Sequence, residues 1–375
     1  MKITIVGTAH PLRGGIAHYN ALLYRELVRH HEVEIVTFAR QYPGFLFPGT
    51  SQIDGGGTGD FEVPSRVLVD SINPLNWVSV GRTIRRSKPD LLLFKYWLPF
   101  FGPCFGTIAR TVKRGTGTRV VYICDNVIPH ERRPGDRVFT KYAFGPADGF
   151  VVQSASVERD LHALIPGARS ILVPHPVYHG FGSRVPAEVA RAAVGVTGKD
   201  VLLFFGYVRR YKGLGVLLDA MALLKHRLDL QLLVVGEFYD DERPYRDRIE
   251  ALGIQDAVIV RSDYVPNDEV KNYFSAADAV VLPYSSATQS GIAQIAYNFD
   301  LPVIATTVGG LAEAVLDGET GVLVPPENPQ ALADGIMRFF TALDHEKLRA
   351  RVAEEKKRYS WEHLGAAIER LASER

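Results

Sequence analysis

Asp200-Val201-Leu202-Leu203-Phe204-Phe205-Gly206-Tyr207-Val208-Arg209-Arg210-Tyr211-Lys212-Gly213 is the stretch that decides the fold. Its first half is a near-continuous apolar run of strand length, which suits a parallel strand buried on both faces. Gly206 ends the run, and an apolar segment of helix length, 213–226, follows almost at once. Strand, short loop and helix in that order form the building unit of a parallel α/β sheet. The same plan recurs in both directions from this point. The spacing predicts strands at 2–7, 33–38, 90–95, 118–124, 148–153 and 171–174, with helices at 15–30, 75–88, 104–114, 137–145 and 155–164 between them. Beyond 200–206 it predicts strands at 231–235, 257–261, 279–283, 302–306 and 321–324. The helices of that half are expected at 213–226, 242–252, 267–276, 290–299 and 311–316, and the chain closes on helices at 328–342, 344–357 and 361–373. The fold class expected is α/β, with two doubly wound, Rossmann-like parallel sheets. The expected division is residues 1–180, residues 181–355 and a terminal helix, 356–375. His175-Pro176-Val177 and Gly180-Phe181-Gly182 interrupt the alternation near the join, and the main irregular stretch is 41–66.

Composition supports this reading. The chain has 375 residues, of which 46% are hydrophobic and 23% charged, and its mean hydropathy is near zero. That excludes a disordered, collagen-like or multi-span membrane class. The opening Met1–Gly7 reads as a first strand and not as a signal sequence. Two cysteines, Cys104 and Cys124, are too few for a disulfide framework or a structural zinc site, so a reducing cytoplasm is the expected compartment. The net charge of +1 divides unevenly: residues 1–180 carry +7 and the remainder −6. Two domains with unlike partners fit that asymmetry, as does ordinary scatter of surface charge. No nucleic-acid partner, cofactor or metal is expected.

Doubly wound sheets bind ligands outside the carboxyl ends of their strands, so the chemistry belongs in the loops that follow strands. Gly14-Gly15 ends the first such loop, where backbone N–H groups at a helix start can meet an anion. It lacks both the G-x-G-x-x-G fingerprint and the phosphate-binding P-loop pattern, which argues against a nicotinamide-dependent enzyme. In the second loop Arg209, Arg210 and Lys212 crowd the start of a helix, where cations oppose the helix dipole unless an anion offsets them. The third, Pro283 to Gln294, offers another helix start at Gln289-Ser290-Gly291, with Gln294 one turn beyond Ser290 on the same face.

Several of these segments resemble the family 4 (group 1) glycosyltransferases of the GT-B fold. They are the cationic loop after 200–206, Gly14-Gly15, Leu301–Thr306 with Gly309-Gly310-Leu311-Ala312-Glu313, and Tyr359-Ser360-Trp361. The resemblance implies two Rossmann-like domains facing across a cleft, the first binding the acceptor and the second a nucleotide-sugar donor. It implies a retaining, metal-independent transfer and a terminal helix that crosses back to the first domain. The family's Arg after the strand glycine is replaced here by Tyr207, with Lys212 keeping the Lys position and Arg209 or Arg210 available as the guanidinium. The family's two glutamates fall on Ala287 and Ile295, so both carboxylates are missing. Its histidine falls on Asp125, with His130 close by.

These correspondences assign Arg209, Lys212 and Asp125 to the catalytic set. Gly14, Gly15, Arg210, Gly236, Glu237, Gln289, Ser290, Gly291 and Gln294 are assigned to the donor, and His10 and His130 to the acceptor. The expected donor is a UDP- or GDP-sugar, and the expected acceptor a carbohydrate or a polyprenyl-diphosphate-linked glycan in cell-envelope polysaccharide synthesis. Without the glutamates, a donor phosphate oxygen can take the acceptor proton. The competing reading is an inactive GT-B protein that binds a nucleotide or glycan as a partner or regulator. Peripheral contact with an anionic membrane at its inner face is a further expectation. It rests on Arg82, Arg85, Arg86, Lys88, Lys113-Arg114 and Arg132-Arg133, with Trp97-Leu98-Pro99-Phe100-Phe101 as the apolar part.

Overall fold

A computed structural model describes residues 1–44, 52–53, 61–129 and 133–374. The chain divides into two units. One comprises Met1–Pro176 with Tyr359–Arg375, and the other Val177–Arg358.

In the first unit β1 (Lys2–Val6), β2 (Glu32–Arg40), β3 (Ser65–Asp70), β4 (Leu91–Tyr96), β5 (Arg119–Cys124), β6 (Gly149–Val152) and β7 (Ser170–Leu172) form one sheet in the order β3-β2-β1-β4-β5-β6-β7. Every pairing is parallel. Ile3 lies opposite Val33 on one side and Leu91 on the other, so the strand order reverses at β1. Among the described residues the helices of this unit are α1 (Gly15–Leu27), α2 (Pro74–Arg86), α3 (Gly102–Lys113), α4 (Asp136–Phe144), α5 (Ala155–Leu164) and, from the end of the chain, α14 (Trp361–Ser373). The last packs on α1, β5 and β6; Leu371 fills the space beside Gly149, which has no Cβ.

The second unit contains β8 (Asp200–Phe205), β9 (Leu230–Val235), β10 (Val258–Arg261), β11 (Ala279–Leu282), β12 (Val303–Thr306) and β13 (Gly321–Val324), ordered β10-β9-β8-β11-β12-β13. Here the reversal falls at β8, the strand on which the sequence reading turned. Its helices are α6 (Ala187–Val194), α7 (Leu214–Leu224), α8 (Arg243–Ala251), α9 (Val270–Ala276), α10 (Gly291–Asn298), α11 (Gly309–Ala314), α12 (Pro329–Ala342) and α13 (His345–Glu355). Val201, Leu202, Leu203 and Phe204 are all buried, as are the four residues of β11. Burying one such side chain contributes roughly 1.5–3 kcal/mol, which is why these apolar runs pin the centre of the sheet.

Two elements escaped the sequence pattern. Val67 of β3 is 48% exposed, and this edge strand buries only Val69 fully, so it lacks the apolar continuity of the inner strands. The short, Ala-rich α6 buries only Ala190 and Val194 and sits in the Pro- and Gly-containing join. No helix among the described residues is long and apolar enough to cross a membrane.

Candidate functional site

The reversal points at β1 and β8 are where doubly wound sheets hold ligands, and in each unit an unusual lysine lies there.

In the second unit the loop leaving β8 turns through Gly206 and Tyr207, and a short 3-10 turn, Arg210–Lys212, delivers the chain to α7. Gly213 joins the two at φ +72°, and a Cβ there would strike the Pro283 carbonyl, so only glycine fits. The backbone N–H of Ser285 donates to the Tyr211 carbonyl at 2.8 Å, which ties this loop to the one that follows β11. Lys212 is buried. Among the described residues no carboxylate or other acceptor pairs with its Nζ; the Tyr284 ring lies 5.8 Å away, and the charge that acts on it is a second cation, Arg209. Burial first, and Arg209 second, push its pKa down to about 7. The ammonium lies beside the Gly206 Cα, on the side also occupied by Ile292 in the first turn of α10. A buried cation without a counter-charge is costly unless a ligand supplies one.

The Arg209 guanidinium lies 4.3 Å from the centre of the Tyr239 ring. Tyr207, at the position where the resembling family has Arg, packs edge-on against the same ring at 4.6 Å. The aromatic pair thus gives Arg209 a platform. Gly236 abuts the Gly206 carbonyl too closely for a Cβ, and Val208 donates to the Glu237 carbonyl at 2.8 Å, so Gly236 and the buried Glu237 line the adjoining turn. Ser290 is the N-cap residue of α10 without a side-chain cap bond, and Gly291 packs beside Tyr178. One turn on, Gln294 is buried and its Oε1 has no hydrogen-bond partner among the described residues. Gln289 is half-buried in the preceding loop. Arg210 is exposed and its charge reaches Tyr245 of α8, which separates it in character from Lys212. Ala287 and Ile295, the positions that the sequence resemblance assigns to the family's glutamates, are both buried.

In the first unit the second lysine, Lys95, lies within the fully buried strand β4. Its Nζ donates to Asp125 Oδ1 at 2.6 Å and to Gln153 Oε1 at 2.9 Å, and sits 3.3 Å from the Tyr19 ring centre. Gln153 in turn donates to the Tyr19 hydroxyl at 2.8 Å. His175 and Trp361 both pack edge-on against Tyr19, at 5.1 and 4.9 Å. Burial lowers the Lys95 pKa, and Asp125 opposes that shift. Burial, helped by the Lys95 charge, holds His175 neutral with a pKa of about 3. Of this cluster the sequence assigns only Asp125 to the site, although it also singles out Trp361 and His175. The missed signal was a lone lysine inside an otherwise apolar strand, since lysine is almost never fully buried unless paired.

At the β1–α1 turn the Cα of Gly14 faces open space, and Gly15 begins α1. Two buried atoms near this turn, Thr8 Oγ1 and Asn20 Oδ1, have no hydrogen-bond partner among the described residues. His10 lies 3.9 Å from Glu62 and remains partly exposed. His130 and Arg132 lie outside the described residues, as do 45–51 and 54–60 of the irregular stretch. In the Trp97–Phe101 segment, named above for membrane contact, Trp97, Leu98 and Phe100 are half-buried against the core. Phe101 and Pro99 are buried, and the Trp97 indole donates to the Tyr42 hydroxyl at 3.1 Å, so the segment caps the core. Among the described residues no group of three or more His, Cys, Asp or Glu side chains is placed to hold a metal ion.

Comparison with known families matches residues 14–176 to the description "Glycosyl transferase 4-like domain" and residues 199–342 to "Glycosyl transferases group 1". The chain belongs to the group 1 glycosyltransferases. It is 33% identical over 199 residues to D-inositol 3-phosphate glycosyltransferase of Corynebacterium urealyticum, covering 51% of this chain and 47% of that protein. It is 38% identical over 150 residues to the protein of the same name from an Arthrobacter species, covering 39% and 35% respectively. The chain thus spans about half the length, or less, of these curated relatives. Sucrose-phosphate synthase of Thermosynechococcus elongatus shares the fold with a TM-score of 0.74 at 20% identity, covering 99% of this chain and 98% of that one. Anabaena HepE in complex with UDP-glucose does so with a TM-score of 0.75 at 17% identity, covering 99% of each chain. The matched group 1 region contains Lys212, and the matched 4-like region contains Lys95 and Asp125.

Proposed function

We propose that the protein transfers a glycosyl group from a nucleoside-diphosphate sugar to a hydroxyl of a carbohydrate or lipid-linked acceptor, with retention and without a metal. The observation that carries this reading is Lys212, a buried ammonium with no counter-charge among the described residues, in the loop after a strand end. A donor diphosphate supplies that charge. Arg209, held on Tyr239, is the second cation toward it, and Gln294 offers a buried amide to a sugar hydroxyl. HepE, which shares the fold, is described in complex with UDP-glucose, which supports a nucleotide-sugar donor.

In the transfer, the bond from the sugar anomeric carbon to the diphosphate oxygen breaks and a bond to the acceptor oxygen forms on the same face. The acceptor proton passes to a phosphate oxygen of the released nucleoside diphosphate. Lys212 and Arg209 stabilise the charge that grows on this leaving group; one such contact typically supplies about 3 kcal/mol, or a hundredfold in rate. The first unit takes the acceptor, with Asp125 held in a fixed orientation by Lys95. The two buried free thiols, Cys104 and Cys124, agree with a reducing, cytoplasmic setting.

The reading is tested by incubating the protein with UDP-, GDP- and ADP-sugars together with free sugars, inositol phosphates and polyprenyl-diphosphate-linked acceptors. Transfer with retained anomeric configuration in the presence of a chelator is the expected result. Nucleotide binding without turnover of any pair would replace it with the binding-protein reading, which the buried Ala287 and Ile295 favour.

A further inference from the structure

Helix α4 is polarised the wrong way for a helix that faces only water. Thr140, Ala143 and Phe144 form its buried side, and the opposite pole is apolar. Val138 is 68% exposed, Phe139 41% and Tyr142 40%. Val138 and Tyr142 are four residues apart and therefore stack along the outward face. A solvent-facing helix normally carries charge there, and exposed apolar rows rimmed by polar groups mark contact surfaces.

The rim here is cationic. Arg137 and Lys141, also one turn apart, flank the apolar row and are exposed. The Arg110 guanidinium of α3 lies 4.0 Å from the centre of the Tyr142 ring, and the Tyr142 hydroxyl shares a 3.0 Å hydrogen bond with Thr107. Helices α2, α3 and α4 pack in series. Together they carry seven Lys and Arg residues against a single carboxylate, Asp136. Among the described residues no carboxylate pairs with Arg82, Arg86, Arg137 or Lys141. By contrast α1 and α14, which pack on each other, carry three carboxylates and two cations. Cations near helix C-termini are favourable in themselves, which accounts for Arg85, Arg86 and Lys113. It does not account for Arg137 near the start of α4, nor for the apolar pole.

We propose that the outward face of α4 is a docking surface for an anionic lipid bilayer, with Val138, Phe139 and Tyr142 entering the headgroup boundary and Arg137, Lys141 and Arg110 meeting lipid phosphates. A second copy of this chain would set a cationic layer against its like. A nucleic acid would satisfy the charge and leave the apolar pole unused. An anionic lipid surface is complementary to both. The surface lies on α4 and not on the Trp97–Phe101 segment, and it stands independently of the transfer reading.

The test is partitioning of the full chain onto vesicles of phosphatidylcholine alone, or with about one-third phosphatidylglycerol. Binding is expected on the anionic vesicles only and is weakened in about 0.5 M salt. Removing Arg137 and Lys141 together as R137Q/K141Q is expected to lower partitioning roughly twentyfold, since each cation near such a surface contributes about fivefold. V138W is expected to raise partitioning on the anionic vesicles while its circular dichroism and melting temperature stay those of the wild type. Nucleotide-sugar binding, followed in parallel, should be unchanged in both variants. Equal binding to neutral vesicles, no effect of R137Q/K141Q, no gain with V138W, or binding to duplex nucleic acid in place of the anionic vesicles would each overturn the assignment.

Discussion

Each unit buries one lysine at the reversal point of its sheet, and the two are held in opposite ways. Lys95 is answered from within: Asp125 accepts at 2.6 Å, Gln153 at 2.9 Å, and the Tyr19 ring covers the ammonium. Among the described residues Lys212 has no carboxylate or hydrogen-bond acceptor, only the Tyr284 ring at 5.8 Å, and its neighbour Arg209 adds to the positive charge. A closed network holds a side chain in one orientation, whereas an open charge invites a ligand. On the proposed reading, the first unit thus holds a positioning centre and the second an anion-binding one.

Asp125→Ala should give the largest effect. It leaves the Lys95 ammonium with Gln153 and the Tyr19 ring but without its counter-charge, and should cost about 3–5 kcal/mol of stability in chemical denaturation. Asp125→Asn, which keeps an acceptor, should cost less. Equal losses for the two would mean that the carboxylate charge does not matter there.

Lys212→Met should behave the other way. Donor binding should fall about a hundredfold by calorimetry, while the unliganded protein gains about 1–3 kcal/mol of stability because an unpaired buried charge is removed. Because burial lowers the folded-state pKa of Lys212 from 10.5 to about 7, the unfolded chain binds the proton more tightly. The stability gained by Lys212→Met should therefore be fullest below about pH 7 and vanish as pH climbs through the unfolded value. A loss of stability in this variant would show that Lys212 is paired after all.

The affinity of the wild-type protein for a nucleotide-sugar should also report this charge. The diphosphate needs the protonated lysine, so binding should be tightest below about pH 7 and weaken by up to about tenfold per unit above it. A flat profile between about pH 6 and 9 would remove Lys212 from the phosphate contact. The smallest effect expected is that of Tyr239→Leu. It removes the platform beneath Arg209 and should weaken donor binding about two- to fivefold.

Much of this architecture was legible in the sequence because buried parallel strands announce themselves as apolar runs. Asp200–Phe205 and Ala279–Leu282 are such runs, and both lie at the centre of their sheet. Val67 and its neighbours in β3 lie at an edge, where exposure erases the pattern. For the candidate site, the loop carrying Arg209 and Lys212 was visible because all its parts are contiguous. The Lys95 network was not, because Tyr19, Asp125 and Gln153 reach it from three separate stretches of chain. The platform under Arg209 was hidden for the same reason, with Tyr239 thirty residues further along the chain.

The discontinuity of the first unit bears on the order in which the protein becomes competent during synthesis. Its sheet is complete once Ser170–Leu172 has emerged, yet α14, with Trp361 against Tyr19 and Glu369 bonded to His31, is made only after the whole second unit. A nascent chain stalled before Tyr359 would own every residue of the Lys212 loop and still lack the last ring that encloses the Lys95 cluster. Ribosome-bound intermediates should therefore acquire protease resistance in the second unit before the first reaches its final stability.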